Sequence, residues 1–183
     1  LEATETALKS GATAIIISTG GILSGLPEVY PSCFLIPSVG GQPPRTAFGH
    51  IFSRQLGLLR SIGVLPQPRD GADAAMFARL QTASDGFDIL NDTEGDVAQL
   101  ALCMLERPIA LLGPTELQPA LNRFKNQLNE NAARFARIGI IPEMNHNESV
   151  AWGGVGSDQD ASGIDHVLLL LTWQGIHLSL IHI

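Results

Sequence analysis

The chain has 183 residues, of which 45% are hydrophobic and 16% charged, so it can bury one ordinary core or two small ones and does not have a disordered composition. Eleven Lys and Arg against 18 Asp and Glu give a formal net charge of −7 with no basic cluster, which argues against nucleic acid and anionic membrane surfaces as partners. Aromatic side chains make up only 5%, so the core must be aliphatic and alanine-rich.

The opening LEATETALKSG sets alanine, leucine and charge at helical spacing and stops at Gly11, the residue type that ends helices. The β-branched run TAIIIS then predicts a buried parallel strand near 13–18, with Ser18, Thr19, Gly20 and Gly21 at its carboxyl end. Ligands of open α/β sheets bind at that end, and small hydroxyl and glycine residues let backbone N–H groups approach an anion. A plain strand-to-loop turn accounts for the same four residues. CFLIPS predicts a second strand near 33–37, and PPRTAFGHIFSRQLGLLRSIG a long amphipathic helix with prolines at its entrance. Arg45 stands at the start of that helix, an end that already carries partial positive charge. A bound anion would account for the placement, as would a surface position after a proline turn.

Residues 64–95 are rich in Pro, Gly and Asp around a weak helical stripe, and are expected to form an interdomain connection containing a helix. A second α/β set follows: helix DVAQLALCMLE, a strand near 108–112, helix LQPALNRFKNQLNENAARFA, a strand near 137–141, a helix entered at an acidic loop, and a strand near 166–171. The fold class expected is α/β, with two similar parallel-sheet units at 1–63 and 96–183, helices on both faces, and each unit incomplete. The loop GVGSDQDASG is expected to be mobile. Cys33 and Cys103 form no C-x-x-C and are expected to be buried small hydrophobes in a reducing cytoplasm. The tail HVLLLLTWQGIHLSLIHI is too interrupted by His166, Gln174, His177 and His182 to cross a membrane.

The stretch IIPEMNHNESVAW, 140–152, holds Glu143, His146 and Glu148 with no Lys or Arg. Glu130 precedes His146 by sixteen residues, at the end of a helix crowded with Lys125, Asn126, Gln127, Asn129 and Asn131. A helix end, a strand and a loop are expected to bring the two to one side of the sheet. A carboxylate and an imidazole make a workable pair for proton abstraction beside a carbonyl; a solvated acidic turn and helix end is the bland alternative. His146 has no second His or Cys at ligand spacing, so no metal is expected.

KNQLNENA followed by PEMNHNESVAW, together with GGQPPRTA and STGG, resembles the bifunctional phosphoglucose/phosphomannose isomerase family over about residues 1–171. The resemblance implies two SIS (sugar isomerase) domains, each a flavodoxin-like α/β unit. It implies an aldose–ketose isomerase that interconverts glucose 6-phosphate, mannose 6-phosphate and fructose 6-phosphate without cofactor, as a homodimer in which the neighbouring subunit supplies the histidine. By the same resemblance Glu130 is the base that moves a proton between C1 and C2, His146 helps open the sugar ring, and Arg45 stabilises the enediolate. Arg45 would then be the cation that the acidic loop lacks.

The chain also departs from the family pattern. The Ser/Thr-rich phosphate cradle expected ahead of Leu1 is absent, and the second glycine-rich turn reads GPTE, with Pro114 in it. The strand, helix and active-site groups expected beyond His166 are missing, and residues 172–183 read as a foreign tail. The chain therefore reads as the middle of a longer protein and is expected to be inactive alone. A SIS module that only senses a sugar phosphate is the rival from another class; it needs no base, and Glu130, Arg45 and His146 together favour the enzyme.

Overall fold

A computed structural model of the chain describes residues 1–148, 151–152 and 165–176. It divides into two compact units, Leu1–Met76 and Phe77–Ile183.

The first unit opens on α1 (Glu2–Lys9), with Glu2 and Glu5 in its first turn and Lys9 in its last, the polarity that complements the helix dipole. Gly11, at φ 87°, turns the chain into β1 (Ala14–Ser18). A 3-10 turn and the short α2 (Leu26–Val29) lead to β2 (Cys33–Pro37), which pairs with β1 in parallel register from Ala14 opposite Cys33 to Ser18 opposite Pro37. Successive strand residues face opposite ways. Ile16 and Cys33 therefore join Leu8 and Leu26 in a core, against which Ala14, Tyr30 and Leu35 pack. Ile15 and its register partner Phe34 are exposed, so the helical cover expected on both faces is incomplete here.

α3 (Phe48–Ser61) begins later than the proline-led helix that the sequence suggests. The Pro43 carbonyl accepts from the Thr46 N–H at 3.0 Å and from its hydroxyl at 2.9 Å, closing a separate 3-10 turn over Pro44–Thr46. Arg45 lies in that turn and not at the N-terminus of an α-helix. α4 (Ala72–Gly86) occupies the middle of the 64–95 connection. None of its residues is buried, which is why its apolar stripe is weak.

The second unit holds α5 (Asp96–Met104), β3 (Ile109–Pro114), α6 (Gln118–Ala132), β4 (Ala136–Ile141), α7 (Glu143–Asn147) and β5 (Val167–Leu170). Its strands lie in the order β4-β3-β5, both pairings parallel. β3 is central and buried throughout, as the continuous apolar run IALLGP requires. On one face Ile109 and Leu111 pack with Met104 of α5 and Leu121 of α6, joined by Phe124, Leu128, Ile138 and Ile140. On the other, Leu112 and Ile141 pack with Met144 of α7 and with Trp152. Gly139 makes the second contact possible: a Cβ there would lie 2.6 Å from Leu112 Cδ2 and 3.3 Å from Met144 Sδ.

All five expected strands form, with ends within two residues of those read from the sequence. Of the two cysteines Cys33 is buried, but Cys103 is exposed, against expectation. α5 turns Met104 to the core and leaves Leu100, Leu102 and Leu105 exposed, so it is apolar on more sides than it buries. The GVGSDQDASG loop and the tail from residue 177 lie outside the described residues. Among the described residues no helix is long and apolar enough to cross a membrane.

Candidate active site

In the first unit the two motifs singled out from the sequence meet at one edge of the sheet. Ser18 ends β1 and is paired with Pro37, which ends β2, so STGG and GGQPPRTA both leave from the carboxyl edge. The Ser38 N–H continues the ladder by donating to the Ser18 carbonyl at 2.8 Å. A Cβ built on Gly40 would lie 3.9 Å from Thr19 Cβ, so the two loops touch. The Ser18 hydroxyl donates to the Gly20 carbonyl at 2.8 Å and accepts from the Gly20 N–H at 3.2 Å. Gly20 and Gly21 follow at φ 149° and 79°, values that side chains disfavour. Arg45, exposed, sits in the turn that closes the second loop. Parallel pairing of two short strands therefore gathers small residues and a glycine pair at positive φ at the edge where α/β sheets bind ligands, with Arg45 in one of the two loops that leave it.

In the second unit Glu130 lies in the last turn of α6 and is exposed. The amides around it have local partners. Asn131 donates to Gln127, and Asn129, with its amide oriented to donate, reaches the carbonyls of Lys125 at 3.3 Å and Arg134 at 2.8 Å. Ala133 ends the helix in the left-handed conformation at φ 50°. The amide-rich run thus shapes the helix end. Glu130 itself has no such structural explanation. The carboxyl end of a helix carries partial negative charge, and no basic side chain shares that turn.

His146 is exposed on α7, directly beyond the carboxyl end of β4. Glu130 and His146 therefore do not come to one side of the sheet. α6 runs back from the carboxyl edge of β3 and ends at the amino edge of β4. The six residues of β4 then separate that edge from α7, a rise of about 20 Å at roughly 3.3 Å per residue. Within one chain the two groups sit at opposite edges.

The acidic loop has a cation that the sequence reading missed. Arg137, in β4, donates from Nη1 to Oε2 of Glu148, eleven residues on. Its guanidinium carbon also lies 4.7 Å from the centroid of the Trp152 ring. Arg137 stands one residue outside the apolar run IGII, where a strand was legible but the direction of a long side chain was not. Gly113, in the GPTE turn, is packed rather than open: a Cβ there would lie 3.1 Å from the Leu171 carbonyl and 3.3 Å from Leu121. Among the described residues no three His, Cys, Asp or Glu side chains come together in a way that could hold a metal ion. An apolar groove of about 290 Å³ runs between α5 and α6, lined by residues such as Leu100, Met104, Phe124 and Arg134; its lining includes neither Glu130 nor His146.

The model of the bacterial phospho-glucose isomerase C-terminal SIS domain matches residues 93–175. The chain is 30% identical over 150 residues to the bifunctional phosphoglucose/phosphomannose isomerase of Thermoplasma acidophilum, an overlap of 82% of this chain and 43% of that protein. It is 28% identical over 138 residues to the protein of the same name from Aquifex aeolicus, over 75% of this chain and 38% of that one. It is also 28% identical over 137 residues to the D-glucosamine-6-phosphate 4-epimerase of Sulfolobus acidocaldarius, over 73% and 40%. The chain thus spans less than half the length of these curated relatives. No solved structure matches it.

Proposed function

The chain belongs to the bifunctional phosphoglucose/phosphomannose isomerase family, and on that premise we propose that the intact protein interconverts an aldose 6-phosphate and its ketose. The substrates are glucose 6-phosphate and mannose 6-phosphate, the product fructose 6-phosphate. The chain carries the later part of the first SIS domain, residues 1–63, and the earlier part of the second, 96–183, joined by 64–95. Once the ring is open, Glu130 takes the proton from C2, leaving an enediolate; a proton passes from O2 to O1, and Glu130 returns its own to C1. The carbonyl moves from C1 to C2, and no electrons leave the substrate. His146 moves the proton that opens the ring, and Arg45 stabilises the enediolate charge. Ser18, Thr19, Gly20 and Gly21 form the loop that receives the sugar phosphate, with the backbone N–H groups of Thr19 and Gly21 as donors, since the Gly20 N–H is held by the Ser18 hydroxyl.

The observation that carries this reading is Glu130 itself: an exposed carboxylate at the negative end of a helix, with no basic residue in its turn. That placement does nothing for stability and leaves the group available as a base. The opposite-edge placement of Glu130 and His146 supports a site completed by a second copy, each chain lending one residue to the other. That placement makes the protein a homodimer, and two cysteines without a C-x-x-C motif suit a reducing cytoplasm.

In the full-length protein, Glu130→Gln should abolish isomerisation and exchange of the C2 proton with solvent, while sugar-phosphate binding persists. Unchanged turnover would remove Glu130 from the mechanism. The Sulfolobus relative favours a second reading, epimerisation of an amino-sugar phosphate at C4. Product analysis separates the two, since only isomerisation makes a ketose. Binding without any turnover in the wild type would instead identify a sugar-phosphate sensor.

A further inference from the structure

α7, which carries His146, has five residues and no side-chain cap, too little to be a stable helix alone. Two residues one turn apart tie it to the sheet. Met144 is 2% exposed, packed on Leu112 and Ile141. Glu148, four residues later and so on the same side, accepts from Arg137 of β4. His146 is two residues from each, hence on the opposite side, and is exposed. The Arg137 guanidinium is held a second time by the Trp152 ring at 4.7 Å, and that ring makes a T-shaped contact with His166, centroids 5.4 Å apart. Gly139 leaves room for Met144 to seat, since a Cβ there would lie 3.3 Å from its Sδ.

An isolated surface ion pair fixes little. Here a planar guanidinium is fixed by a carboxylate and by an aromatic ring, and both belong to the segment that bears His146. We propose that Arg137 is a positioning residue: through Glu148 and Trp152 it sets the orientation of α7 and so aims His146 at the sugar ring. The proposal rests on the reading of His146 as the ring-opening group.

Ring opening is measured apart from isomerisation as the enzyme-catalysed interconversion of the glucose 6-phosphate anomers. Magnetization-exchange NMR follows it in full-length protein carrying Glu130→Gln, which blocks the later proton transfer. Arg137→Met, which keeps the stem and removes the charged fork, should slow anomer interconversion about tenfold or more, within the range that a positioned acid–base group supplies. Affinity for the sugar phosphate should stay within a factor of about two, a split that a general loss of structure would not give. Glu148→Gln should reproduce the loss, and adding it to Arg137→Met should slow the reaction no further. If the Met variant does not fold, Arg137→Lys decides. It keeps the charge, loses the stacked plane, and should also slow the reaction. If His146→Ala slows anomer interconversion and the Arg137 variants do not, the positioning role is overturned while the reading of His146 stands. If His146→Ala changes nothing, that reading falls and the proposal with it.

Discussion

Replacing Gly139 with Ala tests the packing that seats α7 on the sheet. Nothing in the backbone forbids the change, because Gly139 is not among the glycines at positive φ. The added Cβ would lie 2.6 Å from Leu112 Cδ2, about 1 Å inside the normal carbon–carbon contact of roughly 3.5–4.0 Å. Leu112 is 1% exposed and Met144 2%, so neither can swing into solvent to make room. Overpacking of this kind costs about 1–3 kcal/mol, and the lower entropy of an unfolded chain with Ala in place of Gly offsets about 0.4–1 kcal/mol. A net loss follows, centred on about 1 kcal/mol and no larger than about 2.6 kcal/mol. Both tryptophans, Trp152 and Trp173, belong to the second unit, so urea unfolding followed by tryptophan fluorescence reports on that unit selectively. The midpoint should fall with the slope unchanged. In a Leu112→Ala background, which removes Cδ2, the same substitution should cost markedly less. A stabilising Gly139→Ala, or full additivity with Leu112→Ala, would refute the packing argument.

Leu121 is fully buried between α6 and β3, and Leu121→Ala should lower the stability of the second unit by about 2–5 kcal/mol on the same fluorescence transition. Arg60 and Asp73, paired through both carboxylate oxygens at 3.1 and 3.2 Å but partly exposed, should matter far less: Asp73→Asn should cost under about 1 kcal/mol on a far-UV circular dichroism melt. Gly21→Ala forces a side chain into a backbone region at φ 79°; it should cost about 1–2 kcal/mol and raise the KM of the full-length protein for its sugar phosphate.

The strands were legible because each is a short apolar run bounded by Gly, Pro or polar residues; IALLG is buried on both faces, as such a run implies, whereas IIIS leaves Ile15 exposed, which its sequence did not signal. The start of α3 was misread because prolines suit the first turn of an α-helix and a 3-10 turn alike; the hydrogen bonds to the Pro43 carbonyl decide between them. Cys103 was misjudged because α5 is apolar nearly all round, and which side it buries depends on the sheet, not on the helix. Glu130 and His146 were both singled out from sequence, but their spacing alone left their relative placement open. It is the direction of a parallel strand between them that sends them to opposite edges. Arg137 escaped notice because a single charge within a strand run signals nothing by itself; its meaning comes from Glu148 and Trp152, which only the fold brings near.

The central claim is a sugar-phosphate isomerase site that takes Glu130 from one chain and His146 from another. Mixing tests it most directly. Full-length Glu130→Gln and His146→Ala proteins, each inactive alone, are unfolded together, refolded, and assayed for conversion of glucose 6-phosphate to fructose 6-phosphate. In a mixed dimer one site would carry both substitutions and the other neither, so random reassortment should restore roughly one quarter of wild-type activity. Mixed dimers demonstrated by native mass spectrometry with no recovered activity would place both residues in one chain's site and contradict the account.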